Sequence, residues 1–178
     1  MSLFSRFLIL LIISVTNVTM QDPDCSLFRS WEDARYLNLG HLWFEKSSQL
    51  GYSQAKQFCE ARQSNLIEID SKDQMDYIVG KLNSFGLGGD GWWGGATDER
   101  SEGMWVWPQS GRQVQNFVWG VAPGCCGALL GFCTCQCQEP NSCGRDEDYF
   151  SFFRDNGYKG ADVSASLRMY PLCQQKRY

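Results

Sequence analysis

The chain has 178 residues, enough for one domain with a real core. It carries 16 basic and 20 acidic residues, a balance that weighs against nucleic acid or an anionic membrane surface as partner.

Residues Met1 to Arg6 lead into the apolar run Phe7 to Val15, followed by small and polar residues up to Gln21. This pattern predicts a secretory signal peptide over 1–20. A nine-residue apolar run is too short for a membrane-spanning helix, which needs about 20 residues. Residues 21–39 read as an N-terminal extension and 40–178 as the folded domain. No later stretch is apolar enough to span a bilayer, so the chain is expected to be secreted and extracellular.

Two helices are predicted first. One runs from about Tyr52 to Arg62 with Ala55 and Cys59 on its inner side. The second starts at Ser71, where Ser-Lys-Asp-Gln74 has the form of a capping box. Met75, Ile78, Val79 and Leu82 then form an amphipathic stripe. Between them, Leu66 to Asp70 is long enough only for a strand or bridge. After Phe85 the chain becomes glycine-rich and places tryptophans at strand-like spacing: 92, 93, 105, 107 and 119. Helices first and short strands later indicate an α+β domain. Trp92, Trp93, Trp105 and Trp107 are expected in the core rather than as a sugar-stacking platform.

All nine cysteines follow the leader: Cys25, Cys59, Cys125, Cys126, Cys133, Cys135, Cys137, Cys143 and Cys173. In an oxidising compartment they are expected to pair. An odd count leaves one free or bridging to another chain, a route to a disulfide-linked homodimer. The insertion 125–143 holds six of them. It reads as a disulfide-tied loop, with a thiolate metal cluster as the sharper reading. His41 is the only histidine, and no nucleophile–base motif surrounds it, so an enzyme is not expected.

Several stretches together resemble the C-type lectin-like family. Tyr52 to Ala61 resembles its first helix, Trp92-Trp-Gly-Gly-Ala-Thr-Asp98 its core strand, and Asp98 to Trp107 the segment that follows. Glu139-Pro140-Asn141 stands where a mannose-type sugar motif would be, with Glu147-Asp148 after it. Met169 to Cys173 resembles the terminal strand. The resemblance implies a C-type lectin-like fold: two helices flanking small antiparallel sheets, with a long irregular ligand-binding loop region. It also implies a disulfide between Cys59 and Cys173. The family's inner disulfide is missing, with Tyr149 and Ala165 at its two positions.

By the same resemblance, Glu139, Asn141, Glu147 and Asp162 would be the side-chain ligands of a primary calcium ion and would contact carbohydrate. Pro140 would follow a cis peptide bond. Calcium takes six to eight oxygens, and the Glu-Pro-Asn form implies mannose-type glycans. An accessory calcium position is implied at Asp98, Glu102 and Asp148. One departure stands out: Gly160-Ala161-Asp162 replaces the family's Trp-Asn-Asp. Ala161 removes an amide ligand that asparagine would return, and Gly160 removes a large packing side chain. A calcium-independent protein ligand is therefore the alternative to glycans.

Overall fold

The structure is a computed structural model that describes residues 31–87, 91–123, 136–141 and 146–175. The leader, Cys25, Cys125, Cys126, Cys133, Cys135 and Cys143 lie outside the described residues, and Cys137 is described by its backbone alone.

The chain opens with β1 (Trp31–Asp33) and β2 (His41–Phe44), joined through a short 3-10 turn at Arg35–Leu37. Helix α1 (Tyr52–Glu60) follows, burying Tyr52, Ala55 and Cys59. It ends slightly before the predicted Arg62. The Ser64 hydroxyl donates to the Cys59 carbonyl at 2.7 Å, and Gln63 takes a left-handed conformation. A side chain that satisfies a terminal carbonyl competes with one more helical turn.

After β3 (Asn65–Leu66) comes α2 (Lys72–Phe85). Its stripe is buried as predicted at Met75, Ile78 and Leu82, with Val79 packed partly against the core. Burying each such side chain contributes about 1.5–3 kcal/mol. Gly86 closes the helix at φ 58°, a region glycine enters without penalty. The capping box is only half formed. Ser71 accepts from the Gln74 N–H at 3.3 Å, but the buried Gln74 side-chain amide does not return to the Ser71 N–H. It accepts from Asp70 N–H at 2.6 Å and donates to the Leu37 carbonyl at 2.7 Å. A tertiary contact with the 3-10 turn outcompetes the local reciprocal bond.

The remaining strands are β4 (Gly91–Thr97), β5 (Val106–Trp107), β6 (Arg112–Gln113), β7 (Val121–Pro123), β8 (Gln136–Gln138), β9 (Tyr149–Phe153), β10 (Lys159–Val163) and β11 (Tyr170–Gln175). Where small antiparallel sheets were expected, nine of the described strands join one sheet along the path β1-β2-β11-β4-β5-β6. Strand β3 lies beside β11, and the β9–β10 ribbon beside β4. The pairing of β11 with β4 is parallel, Tyr170 opposite Trp92 and Pro171 opposite Trp93. The reason is burial: β4 is buried at its first six positions and β11 at its central four, so each prefers an interior neighbour.

Two clusters form the core. One gathers Ile67, Ile69, Ile78, Leu82, Trp92, Trp107, Phe150 and Phe152 with their neighbours. The other holds Tyr52, Ala55, Trp93, Ala161, Val163 and Met169 around Cys59 and Cys173. Trp92, Trp93, Trp105 and Trp107 are all buried, as core rather than platform. Cys59 and Cys173 are bonded, with Cα atoms 5.5 Å apart, and close a sequence separation of 114. No described helix is long and apolar enough to cross a membrane.

Candidate functional site

Strand β10 supports the site. Gly160 accepts a hydrogen bond from Gly120 N–H at 2.8 Å and makes a parallel bridge with Trp119. Gly120 in turn accepts from Glu139 N–H at 3.1 Å. This relay lays the end of the β7–β8 hairpin on β10, so that Glu139 reaches Asp162, two residues beyond Gly160. Close approach is what glycine allows here. A Cβ on Gly160 would lie 2.4 Å from the Phe150 ring and 2.7 Å from the Val118 carbonyl oxygen. The space a side chain at 160 would need is taken by the Phe150 ring, which packs against Trp119 with ring centroids 5.3 Å apart.

Glu139 precedes Pro140 through a cis peptide bond. The Asn141 side-chain amide donates to Glu139 Oε2 at 2.6 Å. The Asn141 backbone N–H donates to both Asp162 carboxylate oxygens, at 2.9 and 3.0 Å. Glu139 and Asp162 are each only 5% exposed. Burial pushes the Glu139 carboxyl up to about 9, helped by its hydrogen bond to Asp162 and by the charges of Asp162 and Glu147; the Asn141 amide opposes this. Glu139 therefore tends to hold a proton beside Asp162 and Glu147, and a single cation could relieve the same repulsion.

The second acidic group gathers on the β4–β5 connection. Asp98 is 3% exposed. Its Oδ2 accepts from Gly103 N–H at 2.8 Å, and its own N–H donates to the Asp148 carbonyl at 3.3 Å. Its Oδ1 is buried with no hydrogen-bond partner among the described residues. Burial raises the Asp98 carboxyl, the Gly103 bond opposes that, and the charges of Glu102 and Asp148 reinforce it. Asp148 is also raised, first by burial, then by Asp146 and Glu102.

The structure thus draws Glu139, Asn141 and Asp162 into contact, with Glu147 acting on them through its charge. Asp98, Glu102 and Asp148 lie in one another's field. Among the described residues no three His, Cys, Asp or Glu side chains converge closely enough to hold a metal as they stand. Ala161 is buried and packs with Tyr52, Trp93 and Val163. An asparagine at 161, expected to return a calcium ligand, would meet that apolar cluster. The docking role of Gly120 and Gly160 was not foreseen. Its only sequence signal was the glycine where a tryptophan was expected.

No family model matches the chain. It is 25% identical to the hepatic lectin of Gallus gallus over 147 residues, which are 83% of this chain and 58% of that protein. The chain therefore spans little more than half of that relative. It is 27% identical to perlucin of Haliotis laevigata over 138 residues, 76% of each. Its structure superposes on the C-type lectin CEL-I from Cucumaria echinata with a TM-score of 0.58, at 19% identity, covering 82% of this chain and 94% of that one. The chain has the C-type lectin-like fold. His41, the one histidine, lies in β2, opposite Asp33 and Gln175.

Proposed function

We propose that the domain is a secreted carbohydrate-binding protein that recognises mannose-type glycans through calcium. The observation that supports this reading is the Glu139–Asn141–Asp162 constellation, in which two buried acids are held together at the cost of trapping a proton. Glu139, Asn141 and Asp162 would hold the ion, with Glu147 drawn in by its charge. Their donor set is oxygen-rich and anionic, which suits a hard divalent cation. When bound, calcium supplies coordination positions for two neighbouring sugar hydroxyls. Glu139 then accepts a hydrogen bond from a sugar hydroxyl, and the Asn141 amide donates one. The acids Asp98, Glu102 and Asp148 would form an accessory calcium position, supported by the unpartnered Asp98 Oδ1. Relatives named as lectins support glycans as the ligand class.

Two measurements test this reading. Calcium should raise the melting temperature, because a ligand that binds only the folded state stabilises it. Mannose should then bind in calcium and not in chelator, by calorimetry. Mannose binding that is equal in both conditions would remove calcium from the mechanism.

A second reading is a calcium-independent protein-binding domain with a degenerate sugar site. It is favoured by Ala161, which points into an apolar cluster, and by the absence of three converged ligands among the described residues. Loss of both calcium and mannose binding would put it first. The odd cysteine count supports a disulfide-linked homodimer, which non-reducing electrophoresis would show as a band of twice the mass.

A further inference from the structure

We propose that a furrow between β3, the 108–111 turn and Gln63 is a second, calcium-independent site for a neutral saccharide unit. Its main arm encloses about 330 Å³ and a side arm about 140 Å³, and Asn65, Leu66, Glu68 and Gln109 line both. The larger arm falls within the usual range of small-molecule sites.

The floor is tied down by hydrogen bonds and ion pairs within the protein. Glu68 N–H donates to Gln174 Oε1 at 3.1 Å, and the Gln174 amide donates to the Leu39 carbonyl at 2.9 Å. Glu68 Oε1 accepts from Ser110 N–H at 3.1 Å, and its Oε2 accepts from Arg112 at 3.2 Å. Arg112 also pairs with Asp70 at 2.5 Å. Arg112 thus bridges both acids, and the Glu68 carboxylate is committed within the protein rather than offered to a ligand. The side arm is lined by two cations, Lys56 and Arg100, and two acids, Glu68 and Glu99, a balance that favours a neutral occupant.

The rim is different. The side-chain amides of Gln63, Asn65 and Gln109 make no hydrogen bond among the described residues, although all three line the main arm. A carboxamide both donates and accepts, as a sugar hydroxyl does, and Leu66 offers an apolar patch for the ring's C–H face. A peptide would instead seek a free strand edge. Here Leu66 of β3 pairs with Cys173 in β11, and just past β3 the Ile67 carbonyl accepts from Gly95 N–H in β4 at 2.9 Å, so the segment is held from both sides. Recognition must therefore come from the side-chain amides, which favours a compact hydroxylated ligand. None of the furrow residues belongs to the Glu139 site, so the two proposals stand or fall separately.

The experiment is an amide NMR titration of the full domain in chelator with mannotriose, lactose and N,N′-diacetylchitobiose. At least one sugar should give saturable shifts at the Gln63, Asn65 and Gln109 side-chain amides. The double variant Gln63→Ala, Gln109→Ala should weaken that binding by about tenfold. Both side chains are exposed, so its melting temperature and its calcium response should stay at parent values. Gln109→Glu should weaken it too. The proposal is overturned if none of the three sugars shifts the furrow, if the double variant binds equally well, or if a neutral Gly-Ser-Gly peptide shifts these amides and the sugars do not.

Discussion

The rings of Tyr52 and Tyr149 lie 4.1 Å apart between centroids, tilted by 37°. Tyr52 begins α1 and Tyr149 begins β9, and Tyr52 N–H also donates to the Ala165 carbonyl at 3.3 Å. Tyr149 and Ala165 are the two positions where the resemblance led one to look for an inner disulfide. An aromatic stack and a backbone bond hold the same elements together without sulfur.

That stack is measurable. A double-mutant cycle of Tyr52→Leu and Tyr149→Leu, followed by chemical denaturation, should give a coupling of about 0.5–1.5 kcal/mol. A coupling near zero would mean the rings merely fill space.

The Cys59–Cys173 bond closes most of the domain. Replacing both cysteines with alanine should cost about 5 kcal/mol on the chain-entropy account. Denaturation of the parent and the double variant, without reductant, reads this directly. An unchanged midpoint would deny the bond its constraining role.

Glu139 links pH to stability in chelator. Its folded value of about 9 lies above its ordinary 4.5. Between those values the folded state keeps a proton that the unfolded chain has released, so stability falls as pH rises. This group's contribution is full below about 4.5 and is lost as pH passes about 9. Glu139→Gln should flatten the decline in melting temperature between pH 6 and 9 while weakening calcium binding by about tenfold. In the parent, calcium binding at pH 7 should release a proton, seen as a buffer-dependent heat in calorimetry. No buffer dependence would contradict a protonated Glu139.

Gly160 tests how the fold carries the site. Gly160→Ala must push Phe150 or the segment at Val118 away, costing about 1–3 kcal/mol. It should also weaken calcium binding, because Gly160 holds Gly120, which holds Glu139. A variant that loses stability yet keeps full calcium affinity would break that relay.

Ala161→Asn should destabilise the domain in chelator by about 1–3 kcal/mol, since it places an amide in an apolar cluster. Thermal denaturation against the parent decides it. A stable variant with raised calcium affinity would show that the asparagine can turn toward Asp162.

The sequence by itself determined the features that rest on local periodicity and chemistry. The α2 stripe, the Ser71 cap, the buried tryptophans and the α+β order follow from side chains spaced to one face or one strand. The motif order also brought Glu139, Asn141 and Asp162 to notice before any contact was known. Only the tertiary structure decided how the Gln74 amide is used, that β11 runs parallel beside β4, and that Ala161 packs inward while Asp162 meets Asn141. It alone showed Tyr149 stacked on Tyr52, and Gly160 admitting the 118–120 segment. These relationships join residues far apart in the chain, and competition for space and for hydrogen-bond partners settles them only when the whole core is assembled.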